Sequence, residues 1–160
     1  MTTGQRLAAV VERVTPRLEA MSDDEAAKPP AAGKWSPKEI IGHLIDSASN
    51  NHQRFVRAQF TTDLVFPGYE QELWVESQRY ASAPWRELIA LWHSFNLHLA
   101  RLMDATPDDI ANVARDPHNL DSIGFRDLPE GQPATLAWFM NDYVDHLEHH
   151  LAQVGVPVSS

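Results

Sequence analysis

The residues best able to do chemistry in this sequence are histidines: eight occur in 160 residues, and there is no cysteine. Near its C-terminal end the chain reads Tyr143-Val144-Asp145-His146-Leu147-Glu148-His149-His150. On a helix advancing roughly 100° per residue, Leu136, Met140, Tyr143, Val144, Leu147, Leu151 and Val154 form one apolar arc. His150 falls within one side of that arc and His146 at its border, whereas His149 points towards solvent. Helical positions four apart hold their Cβ atoms roughly 5–6 Å from each other. Two imidazoles so placed can meet one ion at about 2.0–2.1 Å per Zn–N bond. Alone, the pair equally fits two boundary histidines on an acidic helix.

A metal needs a third ligand from elsewhere in the fold. His43 is the best candidate, because it flanks an apolar face made by Ile40, Ile41 and Leu44, much as His146 stands on its own helix. The alternative is a boundary histidine hydrogen-bonded to Ser47 or Asp46. The other histidines have weaker claims: His52 and His98 lack a partner at ligand spacing, His93 lies on a helix flank, and His118 sits in a long loop.

Three neutral imidazoles leave coordination positions open, the arrangement of a catalytic rather than a structural zinc. An open site can bind a thiol as thiolate or activate water. Without cysteine, sulfur chemistry here needs an external thiol. Hydrolysis needs a general base, for which Glu70, Glu72 and Asp142 are candidates. A ligating histidine usually donates its other N–H to a carboxylate or carbonyl, and Asp46, Asp142 and Asp145 lie within helical reach. Asn51 and Asn96 interrupt apolar arcs, where an unpaired amide costs roughly 1–3 kcal/mol. They either line a polar cavity or make a buried hydrogen bond between helices or subunits. Tyr69, Trp74 and Trp92 wall a pocket or are plain core.

The elements that must position these groups are helical. Leu7, Val10, Val11, Val14, Leu18 and Met21 mark a first helix, which Pro16 should kink or shorten; residues 23–34 read as a loop. Ser36, Pro37 and Glu39 open a second helix with a capping box that continues to about Phe60. An aromatic connection follows, with a short helix around Gln71 to Arg79. The third helix starts near Ser82, with Pro84 in its first turn, and buries Trp85 through Met103. Thr106-Pro107-Asp108-Asp109 caps a short helical piece, and residues 116–133 form a long polar loop at the bundle's end. The fourth helix runs from about Ala134 to Val154 and is stopped by Gly155 and Pro157. No stretch of useful length alternates as a strand would.

The whole chain, 1–160, thus reads as one all-α domain. Its formal charge is −9, with 22 acids against 13 Lys and Arg, which argues against nucleic acid as a partner. No apolar run is long enough to span a membrane. The N-terminus lacks signal-peptide features, so a cytoplasmic protein is expected.

Several motifs taken together carry a resemblance. They are Trp35-Ser36-x-x-Glu39-x-x-x-His43-Leu44, Pro67-Gly68-Tyr69, the Trp85…Trp92…Asn96 spacing, and Asp145-His146-x-x-His149-His150-Leu151-x-Gln153. In order and spacing they resemble the DinB-like superfamily, the damage-inducible and bacillithiol-transferase-like bundles. The resemblance implies a four-helix bundle, up-down-down-up, with a long crossover. It implies one divalent metal ion, zinc or nickel, on His43, His146 and His150, where the chain shows no departure from the family triad. It further implies a homodimer, for which an outward-facing Trp138 would suit the partner surface. Characterised members are metal-dependent transferases or isomerases using mycothiol, bacillithiol or glutathione. The expected function is accordingly a metal-dependent thiol transferase acting on a small-molecule substrate. The alternatives are a metal-dependent hydrolase and a non-catalytic stress or interaction bundle.

Overall fold

A computed structural model describes residues 1–156. Four long helices form the bundle: α1 (Thr3–Glu19), α3 (Pro37–Arg57), α5 (Trp85–Ala105) and α8 (Leu136–Gln153). Between them lie four short α-helices, α2 (Asp23–Ala26), α4 (Gln71–Ser77), α6 (Asp108–Ala111) and α7 (Leu120–Ile123), and one 3-10 turn, Tyr80–Ser82. No strand is formed among the described residues; a single bridge joins Leu64 to His118.

Helix boundaries follow local chemistry. Thr2 with Gln5, and Ser36 with Glu39, make reciprocal capping boxes that start α1 and α3, satisfying N–H groups that have no partner within the helix. Thr135 caps α8 through the Trp138 N–H. Gly155 takes φ +81° just past the end of α8, a left-handed conformation that suits glycine. Pro157, the other expected stop, lies outside the described residues.

Local expectations needed revision at several points. Helix α1 runs through Pro16 and ends three residues later; the proline's carbonyl still accepts the Ala20 N–H at 3.1 Å. Residues 23–34 contain α2, which Ser22 caps. Pro84 precedes α5 as its N-cap. The segment 116–133 holds α7 and is tied to the α3–α5 crossover: Asn119 bonds both backbone groups of Phe66, at 3.0 and 2.8 Å.

Helix directions can be read from contacts. The Leu18 carbonyl accepts the indole N–H of Trp85 at 2.9 Å, while Thr2 bonds Asp104 at 2.7 Å, so α1 and α5 are antiparallel. Gly42 packs on Tyr80, just before α5, and His52 lies 5.6 Å from Phe95, so α3 and α5 run parallel. Phe55 meets Phe139 and Tyr143 at 5.5 and 5.8 Å, and His43 meets His150 at 4.7 Å, so α3 and α8 are antiparallel. The result is up-down-down-up. Two successive parallel helices of a bundle are joined by a long crossover, supplied here by residues 58–84. Around the bundle the order is α1, α5, α3, α8, and α1 and α3 face across a diagonal. Their shared core includes Leu7, Val11, Ile41, Leu44, Phe55, Trp92, Leu99 and Leu147.

One close approach fixes the turn of α3 that carries His43. A Cβ at Gly42 would stand 2.2 Å from the Tyr80 ring, which cannot swing aside because its hydroxyl is bonded to Asp46 at 2.7 Å. Overpacking costs about 1–3 kcal/mol, against roughly 1 kcal/mol gained from alanine's helix propensity. With the clash this severe, Gly42→Ala is expected to destabilise by about 2 kcal/mol and lower Tm by roughly 4–8 °C. An unchanged thermal melt would show that Tyr80 is not fixed.

Candidate metal centre

Two antiparallel helices bring three imidazoles together. His43 comes from the second turn of α3, and His146 and His150 from consecutive turns of α8. Their ring centroids lie 4.6–5.1 Å apart, and one ligand nitrogen from each lies within 4.8 Å of the others. His43 Nε2 and His146 Nε2 are 3.2 Å apart. Nitrogens held at about 2.0–2.1 Å from one tetrahedral zinc lie roughly 3.3–3.4 Å from each other, so the observed spacing fits a shared ion with little adjustment.

Electrostatics favour the ligating form. Burial, reinforced by the neighbouring His150, holds the His43 pKa down at about 4. Burial also pushes His146 well below the ordinary value, with His150, His43 and His149 adding repulsion. His150 is lowered by burial too, opposed by its hydrogen bond to Gln153. Desolvation disfavours the imidazolium, so the rings are neutral at physiological pH with lone pairs available to a cation.

The groups that orient the rings differ from those expected. His150 Nδ1 pairs with Gln153 Oε1 at 2.8 Å; with Nδ1–H donating, Nε2 is left as the ligand atom. The three aspartates within helical reach are committed elsewhere. Asp46 accepts from the Tyr80 hydroxyl and from Gln78 Nε2 at 2.7 and 2.8 Å. Asp142 accepts the backbone N–H groups of Phe125 and Arg126 at 2.7 and 2.9 Å. Asp145 pairs with Arg6 and Arg126. His43 Nδ1 is buried without a hydrogen-bond partner, so neither Ser47 nor Asp46 serves it. That nitrogen therefore lacks the partner a ligating histidine usually has, and the Trp35 ring packs 5.1 Å from the imidazole instead.

His146 and His150 border a cavity of about 440 Å³, within the range of small-molecule sites; His43, packed against both rings, is buried behind them. Ser47, Asn51 and Arg54 of α3 line one side, Phe139 and Tyr143 of α8 another; Tyr69 of the crossover and Ile123 to Phe125 close it. His149 is exposed, as expected, yet borders this cavity beside Phe125, 5.1 Å away. Tyr69 lines it with a phenol that burial pushes up to about 12, a hydrogen-bond donor at neutral pH.

The remaining candidates separate cleanly. Asn51 lines the cavity. Asn96 makes a core hydrogen bond instead, accepting the Tyr143 hydroxyl at 2.5 Å and donating to the Trp92 carbonyl at 2.8 Å. Trp92 is core. Trp74 stands against Tyr69 at 5.1 Å but outside the cavity. Glu70 and Glu72 are exposed and do not line it, and Asp142 lines it with both oxygens occupied. Trp138 is half-buried against the core with the Arg126 guanidinium 5.9 Å from its ring, rather than facing outward. His118 accepts the Leu120 N–H at 3.3 Å. His52 and His98, unpartnered along their own helices, come within 5.3 Å across α3 and α5.

Sequence reasoning did not reach Arg54, Phe125 or the orienting role of Gln153. Arg54 had a signal: positions 43, 47, 51 and 54 recur at helical spacing and share a face. Phe125 had none, because an irregular loop places it.

No helix among the described residues is long and apolar enough to cross a membrane. A family model described as the DinB superfamily matches residues 6–154. The chain is 22% identical over 156 residues to the "Putative metal-dependent hydrolase OB0413" of Oceanobacillus iheyensis, covering 98% of this chain and 83% of that one. It is 23% identical over 150 residues to the similarly named YfiT of Bacillus subtilis, covering 94% and 79%. The solved structure of YfiT, described as having an unusual four-helix bundle topology, superposes with a TM-score of 0.75 over 96% of this chain and 82% of that one. With the family pattern matched from the first helix to the last, and the same bundle in a solved relative, this chain belongs to the DinB superfamily.

Proposed function

We propose that this protein is a divalent-metal-dependent transferase that uses an external low-molecular-weight thiol, with zinc or nickel held by His43, His146 and His150. The observation that carries this reading is the composition of the cavity wall. His146 and His150 line one end, with His43 against them, and the one carboxylate among the described lining residues, Asp142, already accepts two backbone N–H groups. The pocket therefore presents ligands for a metal but no free carboxylate to serve as a general base.

An ion held there supplies Lewis acidity that favours the deprotonated form of a bound thiol or water. For a thiol of ordinary pKa near 8.5, full deprotonation raises the thiolate fraction at pH 7 roughly thirtyfold. The chain's own groups do the rest. Tyr69 keeps its proton and can donate to substrate, and His149 at the rim can pass a proton to solvent. Phe125 and Phe139 supply apolar wall.

Hydrolysis is the second reading, favoured by the names of the two relatives, and in it His149 would be the base. The test is to load the protein with zinc or nickel and follow conjugation of an alkyl halide with mycothiol, bacillithiol or glutathione, alongside hydrolysis of ester and amide substrates. Acceleration with one of the thiols, on the order of the thirtyfold gain in thiolate, is expected. Unchanged conjugation with all three thiols, together with metal-dependent hydrolysis, would replace this reading with the second.

A further inference from the structure

The cavity has a second charged feature that the metal ligands do not explain. Arg54 is only 5% exposed, yet no carboxylate lies within ion-pair distance of it among the described residues. Buried charges are ordinarily paired, because desolvating an ion is costly. The other deeply buried cations obey that rule or an equivalent one. Lys38 meets Asp23 at 2.8 Å. Arg115 donates to the carbonyls of Ala58, Thr61 and Ile110 and does not border the cavity.

Arg54 is served less well. It donates to the Pro67 carbonyl at 2.8 Å and makes a long 3.4 Å contact with Asn51 Oδ1. The rest of its surroundings are aromatic, with the Tyr69 and Phe139 centroids at 5.9 and 6.0 Å. These contacts hold the guanidinium in place at the cavity wall without neutralising it. A fixed cation in the wall of a cavity, without a carboxylate partner in a chain of net charge −9, is matched to an anion that arrives from outside. Its planar fork suits a carboxylate, taken through two parallel N–H···O bonds.

The position of Arg54 sets the length of that ligand. It follows His43 by three helical turns on the same face of α3, about 16 Å of helix axis. An anion at Arg54 is thus not a ligand of the ion at the imidazoles. Both ends are reached by an extended molecule of roughly tripeptide size, given about 3.3–3.6 Å per residue and the reach of the arginine side chain.

We propose that Arg54 is the anion-binding residue of this cavity, holding a carboxylate at one end of an extended small molecule whose reacting atom sits at the imidazole end. What reacts rests on the transferase reading above; the anion end stands on Arg54 itself. The carboxylate belongs either to the thiol or to its acceptor, and two pairs of probes separate these sources.

The experiment is calorimetric titration of metal-loaded, full-length protein with glutathione against glutathione diethyl ester, and with 4-phenylbutyrate against 4-phenylbutanamide. In at least one pair the acid is expected to bind about tenfold more tightly than its neutral partner, the worth of a charge-assisted hydrogen bond. A preference in the glutathione pair places the carboxylate on the thiol, and one in the second pair places it on the acceptor. R54Q should abolish the preference while retaining one metal per chain, and Arg54→Lys should keep part of it. S-Methylglutathione bound by wild type and not by R54Q, without catalysed conjugation of free thiols, would keep the anion site and remove the transferase reading. No acid preference in either pair, or a preference that survives R54Q, overturns the proposal. The acid-to-neutral ratio of wild-type protein requires no variant, so its absence overturns the proposal even if R54Q fails to fold, and a preference seen in wild type is then assigned by its partial retention in Arg54→Lys.

Discussion

His43→Ala should abolish stoichiometric metal binding. The variant leaves His146 and His150 one turn apart on α8, two ligands from a single helix. A bound ion then loses its only link to α3, whose Nε2 stands 3.2 Å from His146 Nε2. Even partners that merely orient a ligand are worth about 10–100-fold in metal affinity, so loss of a ligand itself should weaken binding by at least about a hundredfold. Elemental analysis of untagged protein, purified without a nickel column, is expected to fall from about one ion per chain to a small fraction of that. The thermal response should change with it. At a metal concentration of 100 Kd a bound ion stabilises the fold by about 2.7 kcal/mol, visible as a higher Tm for wild type. That rise should vanish in His43→Ala. If the variant retains one ion per chain and the same rise, His43 is not a ligand and the centre must be rebuilt around other groups.

How legible this site was depends on which elements carry its parts. The triad could be read because each histidine lies on a long, strongly periodic helix. On α3, Ile40, Ile41 and Leu44 fix the rotation of the helix and therefore the direction of His43; on α8 the same role falls to Tyr143, Val144 and Leu147. The bundle followed from that periodicity and from the capping box at Ser36, and its up-down-down-up order from the family resemblance. The cavity wall was a different matter. Phe125 reaches it because Asp142 binds two consecutive backbone N–H groups of an irregular loop, and no periodic pattern announces such a contact. The same bond removes Asp142 from the candidate bases. Asn96 and Asn51 looked alike along the chain, yet one faces Tyr143 in the core and the other lines the cavity. That distinction depends on the rotation of neighbouring helices about each other, which local sequence does not encode. Trp138 reads as outward-facing on a helical wheel, but Arg126 from the preceding loop covers part of its ring. Loops thus decided what helical geometry left open.

Acid should destabilise the metal-free protein well before its carboxylates titrate. His43 has a folded-state pKa of about 4 against roughly 6.5 in the unfolded chain, and His146 and His150 are lowered in the same direction. Between those values the unfolded state binds protons that the folded state refuses, so stability rises with pH across the window and falls as it is acidified. The shift at His43 alone corresponds to about 3 kcal/mol, lost progressively from about pH 7 to pH 4. Asp23, lowered by Lys38 and the Trp85 N–H, acts in a separate and more acid window, below its ordinary value of 3.8. Asp46 opposes the trend at the acid end, because burial raises its carboxyl. Urea melts in the presence of a chelator, taken between pH 7.5 and 4.5, should therefore show a falling midpoint. The fall should be shallower in His43→Ala, which has one fewer buried imidazole to protonate on unfolding. Bound metal opposes the same protons, since only neutral imidazole ligates, and the loaded protein should hold its stability further into acid than the metal-free one. Parallel pH profiles for wild type and His43→Ala would mean that His43 is free to take up a proton in the folded state, and that the packing around it is looser than the structure shows.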